Sequence, residues 1–238
     1  MPSVAVVIIG NEILSGKFAD ENGPFAIHLL RERGVDLGRL VVIPDVVDGI
    51  AAEVAACSAA FDHVVTSGGV GPTHDDLTMV GVGAAFGLPV RREPELAARL
   101  ERRFGAGITP ETYRMAEIPH PAELWWDDTF PWPVVVVRNV AILPGVPGLF
   151  RRKLEAVVAR FGGSPVTSRR LVTESTEPVI AAVLDAAAAA WPEVAIGSYP
   201  RFETDPHTVI ITMEGRNLDA IAACEEFLAA RIPPVPTR

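Results

Sequence analysis

The sequence predicts an α/β protein in which a mostly parallel sheet lies between two layers of helices. Three short runs rich in valine and isoleucine, at 4–9, 35–43 and 63–66, alternate with segments whose apolar residues recur at helical spacing. Continuous apolar runs of this length are typical of strands that are buried on both faces. Because a helix follows each strand, the strands are expected to run parallel, with helices on both sides of the sheet.

The first half of the chain predicts three strand–helix pairs. An aspartate precedes each helix, and its carboxylate can accept hydrogen bonds from the free amides of the first helical turn. The helices are predicted over 21–33 after Asp20, over 49–60 after Asp48, and up to Phe86 after Asp75 or Asp76. These helices supply the connections that a parallel sheet requires.

The middle of the chain has a less regular pattern. Its expected elements are a helix over 94–117 broken near 105–110, an irregular segment over 119–133, strands at 134–137 and 140–143, and a helix over 148–160. The irregular segment contains Trp125, Trp126 and Trp132. These rings can pack the loop or offer a surface on which another ring stacks, and packing is the expectation.

A segment with glycine and proline at 161–165 is the strongest linker signal in the chain. It predicts two domains, 1–163 and 164–238. The second of them reads as strand, helix, strand, strand and helix, over 168–173, 177–190, 194–199, 208–213 and 218–231. This βαββα order predicts a small second domain.

The overall charge and the length of the apolar runs limit the classes of partner that the protein is expected to bind. The formal net charge is −9, which does not suit a broad nucleic-acid surface, because such a surface needs many cations facing phosphates. No apolar run approaches the ~20 residues of a membrane helix, so we expect a cytoplasmic protein that binds neither nucleic acid nor membrane. The apolar content of 49% and the mean hydropathy of +0.27 favour self-association as a dimer or trimer.

The segment GGVGPTHDDLT, at 68–78, follows the third predicted strand. Its glycines let the backbone approach an anion, and the N-terminus of the next helix adds positive potential. Two carboxylates, Asp75 and Asp76, suit a phosphate site only if a cation offsets their charge, and oxygen ligands favour Mg²⁺ or Mn²⁺. The alternative is that one aspartate caps the helix and the other is solvated.

A second polar loop, GNEILSGK at 10–17, follows the first predicted strand. Ligands of open α/β sheets bind beyond the carboxyl ends of the strands, so we expect this loop to lie near 68–78. It offers Glu12 and Ser15, and Asp20 and Asn22 come just after it. A short loop bounded by glycines is also a common plain turn.

These segments resemble the competence/damage-inducible protein A family and the molybdopterin-binding domain of eukaryotic FAD synthase. The resemblance is carried by IIGNEILSGK at 8–17, GGVGPTHDDLT at 68–78, MAEIP at 115–119, ILPGVP at 142–147 and IGSYPR at 196–201. It implies the fold of molybdenum-cofactor biosynthesis proteins, with molybdopterin or a related nucleotide as the ligand. It also implies a divalent metal and the hydrolysis of a pyrophosphate, as in ADP-ribose or FAD.

The resemblance assigns roles to individual residues. The implied ligand-binding residues are Gly10, Asn11, Glu12, Ser15, Gly68, Gly69, Gly71, Pro72, Thr73, Thr78, Pro144 and Gly145. Asp75 and Asp76 are the implied catalytic residues. Asp76, Asp20 and Asn22 are the implied metal ligands.

The chain departs from the family in three places. Asn11 stands where the family often has aspartate, which removes a charge from the first loop. The NxxGTAPG pattern of longer bacterial members is absent, and the sequence before ILPGVP is closer to the FAD synthase domain. The sequence also ends before the amidohydrolase domain of longer members, so we expect no deamidase activity from it.

Three functions agree with these loops. The leading expectation is a metal-dependent nucleotide pyrophosphatase. The alternatives are a module that binds molybdopterin or a nucleotide without turnover, and an enzyme that transfers an adenylyl group to molybdopterin. Each of them requires a phosphate-binding loop, so the sequence leaves the three open.

Overall fold

The computed structural model describes residues 2–127, 130–203 and 207–235. It divides into two compact units, Met1–Gly163 and Ser164–Arg238. The first unit is a three-layer α/β structure, as the sequence predicted, and the second is a small sheet with two helices. Among the described residues, no helix is long and apolar enough to cross a membrane.

The first unit contains eight strands and six helices among its described residues. The strands are β1 (Ser3–Ile9), β2 (Asp36–Ile43), β3 (His63–Ser67), β4 (Val90–Arg92), β5 (Glu117–Pro119), β6 (Glu123–Asp127), β7 (Phe130–Val137) and β8 (Val140–Leu143). The helices are α1 (Asn11–Leu14), α2 (Asn22–Glu32), α3 (Val47–Ala60), α4 (Thr78–Phe86), α5 (Pro94–Phe104) and α6 (Pro147–Val158). Two short 3₁₀ turns, Gly105–Gly107 and Thr112–Ala116, lie between α5 and β5.

The main sheet has the strand order β2-β1-β3-β8-β7-β6. The first four strands are parallel, and β7 and β6 extend the sheet in antiparallel fashion. The chain passes from β1 to β2 on one side and then returns to place β3 on the other side. This change of direction opens a crevice beyond the carboxyl ends of β1 and β3, where open α/β sheets bind their ligands.

The central strand β1 is buried on both faces, which explains its unbroken apolar sequence. Val4, Val6 and Ile8 belong to a core with α2 and α6. The alternate residues of the strand face a second core, formed with α3, α4 and α5. The two cores place one helix layer on each side of the sheet.

Residues 119–133 were predicted to be irregular, and this prediction was wrong for 123–127 and 130–133, while residues 128 and 129 lie outside the described part of the chain. The structure places β6 and the beginning of β7 there. The prolines at 131 and 133 misled the prediction, because proline lacks the amide that a central strand requires. β7 tolerates them because its pairing with β8 begins only at Val135, and its register with β6 shifts between Trp125 and Asp127.

None of the predicted aspartates stands at the N-cap position of its helix, although Asp20 comes directly before Glu21, the N-cap of α2. Asp20 accepts hydrogen bonds from the amides of Asn22 and Gly23, at 2.9 and 3.1 Å, at the start of α2. α3 begins one residue before Asp48 without a side-chain cap. α4 begins after Leu77, also without a side-chain cap, so neither Asp75 nor Asp76 has the capping role that the sequence allowed.

The second unit has the predicted βαββα order. Its elements are β9 (Thr167–Thr173), α7 (Glu177–Ala190), β10 (Ala195–Arg201), β11 (Thr208–Gly215) and α8 (Leu218–Ala229). The three strands form an antiparallel sheet in the order β10-β11-β9. Ile211, Met213 and Ile221 are fully buried in its own core, so this unit is compact by itself.

Candidate functional site

A cleft of about 760 Å³ lies beyond the carboxyl ends of β1, β3 and β8. The two polar loops after β1 and β3 meet there, as the sequence predicted, and the loop after β8 joins them. The implied site residues that line the cleft are Glu12, Asp20, Asn22, Gly68, Gly69, Gly71, Asp76, Pro144 and Gly145. Its volume lies within the range of ~300–1,000 Å³ that small-molecule sites occupy.

The loop after β3 needs glycine for its shape. Gly68 and Gly69 have φ angles of +107° and +63°, in the region that side chains rarely adopt. A Cβ on Gly68 would lie 2.1 Å from the carbonyl oxygen of Ile9, and one on Gly69 would lie 2.4 Å from Oγ1 of Thr78. The loop therefore packs its backbone directly against β1 and α4.

Thr78 supports this loop from below. Its side chain is fully buried, and its hydroxyl donates to the carbonyl oxygen of Gly68 at 2.7 Å. Its amide donates to the carbonyl oxygen of Gly69 at 2.9 Å. In this position Thr78 fixes the loop rather than lining the cleft, whereas the resemblance implied direct ligand contact.

Asn22 joins three elements at the base of the cleft. It is the first residue of α2, and its Nδ2 donates to Oγ of Ser67 at 2.9 Å and to the carbonyl oxygen of Gly145 at 2.7 Å. Its Oδ1 is buried and has no hydrogen-bond partner among the described residues. A buried acceptor without a partner costs free energy, so this oxygen is available to a donor or a cation in the cleft.

Asp76 is the carboxylate of the glycine-rich loop that faces the cleft. Its Oδ2 accepts a hydrogen bond from the amide of Thr73 at 2.8 Å and another from the Thr73 hydroxyl. The same carboxylate lies against Gly71, where an added Cβ would come within 2.6 Å of Oδ2. Thr73 and Gly71 therefore fix the position of the Asp76 side chain.

Several implied site residues lie outside the cleft. Asp75 and its neighbour His74 are exposed, with 3.9 Å between His74 Nδ1 and Asp75 Oδ1, and Asp75 does not line the cleft. Asn11 and Ser15 are exposed on or next to α1. The implied residues that do not line the cleft are Gly10, Asn11, Ser15, Pro72, Thr73, Asp75 and Thr78.

A smaller depression of about 310 Å³ adjoins the cleft across the glycine-rich loop. Thr73 and Asp76 line it together with Arg114, whose guanidinium donates to the carbonyl oxygen of Pro72 at 3.3 Å. Arg114 was not among the expected site residues. It stands directly before the MAEIP segment, and that proximity was the one signal for it in the sequence.

Asp45, which the sequence analysis did not single out, holds the loop after β1 without lining the cleft. It follows the carboxyl end of β2, and its Oδ2 accepts a hydrogen bond from the amide of Asn11 at 2.7 Å. Burial raises the pKa of Asp45, and the negative charges of Glu12 and Asp75 raise it further. The rule that placed the other two loops at this sheet edge also applies to the loop after β2.

The comparisons with known proteins agree with this geometry. Residues 5–162 match the family described as a probable molybdopterin binding domain. The chain belongs to this family. Residues 165–236 match the middle domain of FAD synthase, so the two units correspond to two different families.

Individual relatives show the same relationship. A protein from Archaeoglobus fulgidus is 31% identical over 94% of this chain and 96% of its own length. A probable FAD synthase from Caenorhabditis briggsae is 31% identical over 93% of this chain and 48% of its own length, so this chain spans about half of that relative. The crystal structure of the protein CinA from Thermoplasma acidophilum has a TM-score of 0.61 and 31% identity, and covers 67% of this chain and 98% of its own. The resemblance to the CinA-like proteins and to FAD synthase is therefore confirmed.

Proposed function

We propose that the cleft binds a phosphate-bearing pterin or nucleotide together with a divalent cation, and that the chain hydrolyses the pyrophosphate of such a nucleotide. ADP-ribose and FAD are the candidate substrates. The observation that carries the proposal is the charge of the cleft, in which a backbone cradle built for an anion faces several carboxylates.

The carboxylates that line the cleft are Glu12, Asp20, Glu21 and Asp76, and no lysine, arginine or histidine is among its described lining residues. Phosphate and carboxylate repel each other, most strongly where water is excluded. The backbone amides of 68–71 offer partial positive charge, but they do not cancel four carboxylates. A bound cation resolves this conflict.

The available ligands suit Mg²⁺ or a similar ion. Asp76, Asp20 and Asn22 line the cleft with oxygen atoms, and Asn22 Oδ1 has no other partner among the described residues. The described part of the chain contains no group of three or more histidine, cysteine, aspartate or glutamate residues arranged to hold a metal ion. Mg²⁺ is commonly held by only one or two carboxylates and by the phosphates of the substrate, which fits a site that the ligand completes.

In the proposed reaction, a water oxygen bonds to one phosphorus, the bridging P–O bond breaks, and two monophosphates leave. The backbone amides of 68–71 orient the phosphate, and the Asp76 carboxylate, fixed by Thr73, receives the proton of the attacking water. A divalent cation, when bound, supplies the charge that neutralises the phosphate oxygens. The position of Asp75 outside the cleft argues against the catalytic role that the resemblance implied for it, so we assign the proton transfer to Asp76 alone.

The direct test is incubation of the purified chain with FAD, ADP-ribose and ATP, each with magnesium, manganese or cobalt. Chromatography then measures the release of AMP, and calorimetry measures binding. We expect AMP release only with added metal, and metal should also tighten binding. Binding that is equally tight after chelation with EDTA would contradict the charge argument.

The second candidate is a binding module without turnover, which needs the phosphate cradle of 68–71 but no proton acceptor in the cleft. This function predicts that a nucleotide or molybdopterin binds and is recovered intact with every metal. Transfer of an adenylyl group would instead appear as consumption of ATP that requires molybdopterin.

We also propose that the chain self-associates in solution. Its apolar content of 49% is high for a small protein that remains alone. Light scattering at micromolar concentration should give a mass of at least two chains. A monomer mass under these conditions would contradict this proposal.

A further inference from the structure

A second cavity, which we call the basic groove, lies beside the cleft in the first unit. Its volume is about 680 Å³. It shares Val70, Met115, Pro144 and Leu149 with the lining of the cleft. The two cavities therefore meet along one wall, and one ligand can extend from the first into the second.

The charge of the basic groove is opposite to that of the cleft. Its charged lining residues are Arg99, Arg102, Arg103 and Lys153, and no carboxylate is among its described lining residues. This concentration of cations occurs in a chain with a formal net charge of −9. A cationic cavity in an acidic protein attracts anionic ligands and raises their local concentration.

Two of these cations shape the wall of the groove. The Arg99 guanidinium lies 3.9 Å from the ring centroid of Trp126 and donates to the carbonyl oxygen of Pro131 at 3.3 Å. Lys153 is buried on α6, and its Nζ donates to the carbonyl oxygens of Trp132 and Pro133 at 2.6 and 2.9 Å. Both side chains hold the beginning of β7 in place.

The other two cations face solvent. Arg102 and Arg103 are exposed in the last turn of α5, and the Arg103 guanidinium lies 5.8 Å from the ring centroid of Phe104. Arginine is the side chain best suited to hold a phosphate, because its planar donors match the phosphate oxygens in pairs. They line the groove beside Phe104, which is 43% exposed.

The rest of the lining is apolar and includes flat surfaces. Trp132 and Phe104 line the groove together with Leu100 and Met79. Aromatic and apolar walls next to arginine are suited to a ring that carries a phosphate, since the ring stacks while the phosphate binds the guanidinium. Each cavity is large enough for a moiety of nucleotide size.

We infer that the basic groove is a second subsite for the same ligand, and that Arg102, Arg103 and Phe104 select two-part ligands. Such a ligand has two ring-bearing halves joined by a pyrophosphate. This inference rests on the proposed function, because the cleft must first bind one half through the glycine-rich loop. A mononucleotide fills one cavity only and does not need the groove.

The test compares a dinucleotide with a mononucleotide. Binding of FAD and of AMP is measured by calorimetry in the presence of Mg²⁺, for the wild type and for the double variant Arg102→Ala/Arg103→Ala. Because the variant removes two charge-assisted contacts to the phosphate, FAD affinity should fall at least about tenfold. AMP affinity should change less than about twofold. Phe104→Ala should also weaken FAD more than AMP.

The matched control is Arg31→Ala/Arg33→Ala. These two arginines are also exposed at the end of a helix, α2, but they lie at the end of that helix opposite to the cleft. An equal loss of FAD affinity in both double variants would show a general effect of charge and would overturn the inference. Unchanged FAD affinity in Arg102→Ala/Arg103→Ala would overturn it as well.

Two further outcomes separate this inference from the proposed function. If the wild type binds neither FAD nor AMP with any metal, the proposed function fails and the subsite fails with it. If both ligands bind but the Arg102→Ala/Arg103→Ala variant changes only the mass in light scattering, the groove is an interface between copies of the chain. In that case the cleft retains its proposed function and the second subsite is rejected.

Discussion

Asp76 is the residue whose replacement best separates catalysis from binding. We expect Asp76→Asn to lower metal-dependent AMP release by about a hundredfold or more. Nucleotide affinity and the free energy of unfolding should change little, because Asn keeps the shape and one acceptor oxygen for Thr73. The measurement is kcat titrated with magnesium, manganese and cobalt, beside a binding isotherm for the same nucleotide.

Asp75 provides the comparison for this variant. It carries the same charge one residue away, but it is exposed and does not line the cleft. Asp75→Asn should therefore reduce turnover much less than Asp76→Asn. Equal losses in the two variants would extend the catalytic role to Asp75, and wild-type turnover by Asp76→Asn would remove the metal and catalytic assignment altogether.

The buried Lys153 should make the free energy of unfolding depend on pH in a specific way. Burial lowers its pKa from 10.5 to about 8. The folded state disfavours the charged form of such a lysine. Its contribution to stability is therefore fully present above the pKa of the unfolded state, and it is lost as the pH falls through the pKa of the folded state. The stability of the wild type relative to Lys153→Met should therefore rise between pH 8 and 10.5.

The size of this change has an upper limit of about 3.5 kcal/mol, since one pKa unit corresponds to ~1.4 kcal/mol. Hydrogen bonds from Nζ to two carbonyl oxygens stabilise the charged form and reduce the change. Urea unfolding at several pH values measures it, with the exposed Lys17→Met as a control that should show no such trend. Parallel stability curves for the wild type and Lys153→Met would contradict the assignment.

At the scale of elements, the glycine-rich loop gives the sharpest prediction. Gly68→Ala should prevent ligand binding and destabilise the fold, because its Cβ would lie 2.1 Å from the carbonyl oxygen of Ile9 and φ is +107°. Gly87→Ala is the matched control, since Gly87 also has a positive φ, of +65°, but nothing lies within 4 Å of its added Cβ. The control should lose only about 1–2 kcal/mol, measured by urea unfolding, and should keep its binding. Similar losses in the two variants would mean that the close contact with β1 is relieved by a small shift.

The elements that the sequence predicted well are those that local rules determine. The buried run of β1, the helices between parallel strands and the βαββα order of the second unit all follow from periodicity and breakers. β6 and the beginning of β7 were missed because their prolines and tryptophans contradict strand patterns locally, whereas pairing with the neighbouring strand stabilises each of them in the sheet. The fit of a strand depends on packing against its neighbours in the sheet, which its own local pattern does not display.

The functional site also contains features that the sequence predicted and features that it did not. The rule that ligands bind beyond the carboxyl ends of the strands predicted that the loops after β1 and β3 lie close together, and both line the cleft. The rule did not distinguish Asp76, which faces the cleft, from Asp75, which does not. That difference depends on how Thr73 turns the loop. The basic groove was also hidden, because α5 and β7 are far apart in the chain and meet only in the folded unit.

At the scale of the whole molecule, the two units differ in what they contribute. The cleft and the basic groove are lined only by residues of Met1–Gly163. We therefore predict that a fragment of residues 1–163 folds alone and binds nucleotide. Its affinity should lie within about twofold of that of the full chain, a difference of ~0.4 kcal/mol.

The residue at which this fragment ends should decide its stability. A fragment that is three residues shorter tests this prediction. Phe161 is buried in the core of the first unit and stacks on the ring of His63, with 3.9 Å between the ring centroids. A fragment of residues 1–160 loses this side chain, and removal of a buried phenylalanine typically costs about 3–5 kcal/mol. Thermal unfolding should therefore show a clearly lower Tm for 1–160 than for 1–163. Equal Tm values would mean that Phe161 is not part of this core.

If 1–163 is folded but binds no nucleotide while the full chain does, residues 164–238 take part in the site, and the assignment of the cleft to the first unit alone is wrong.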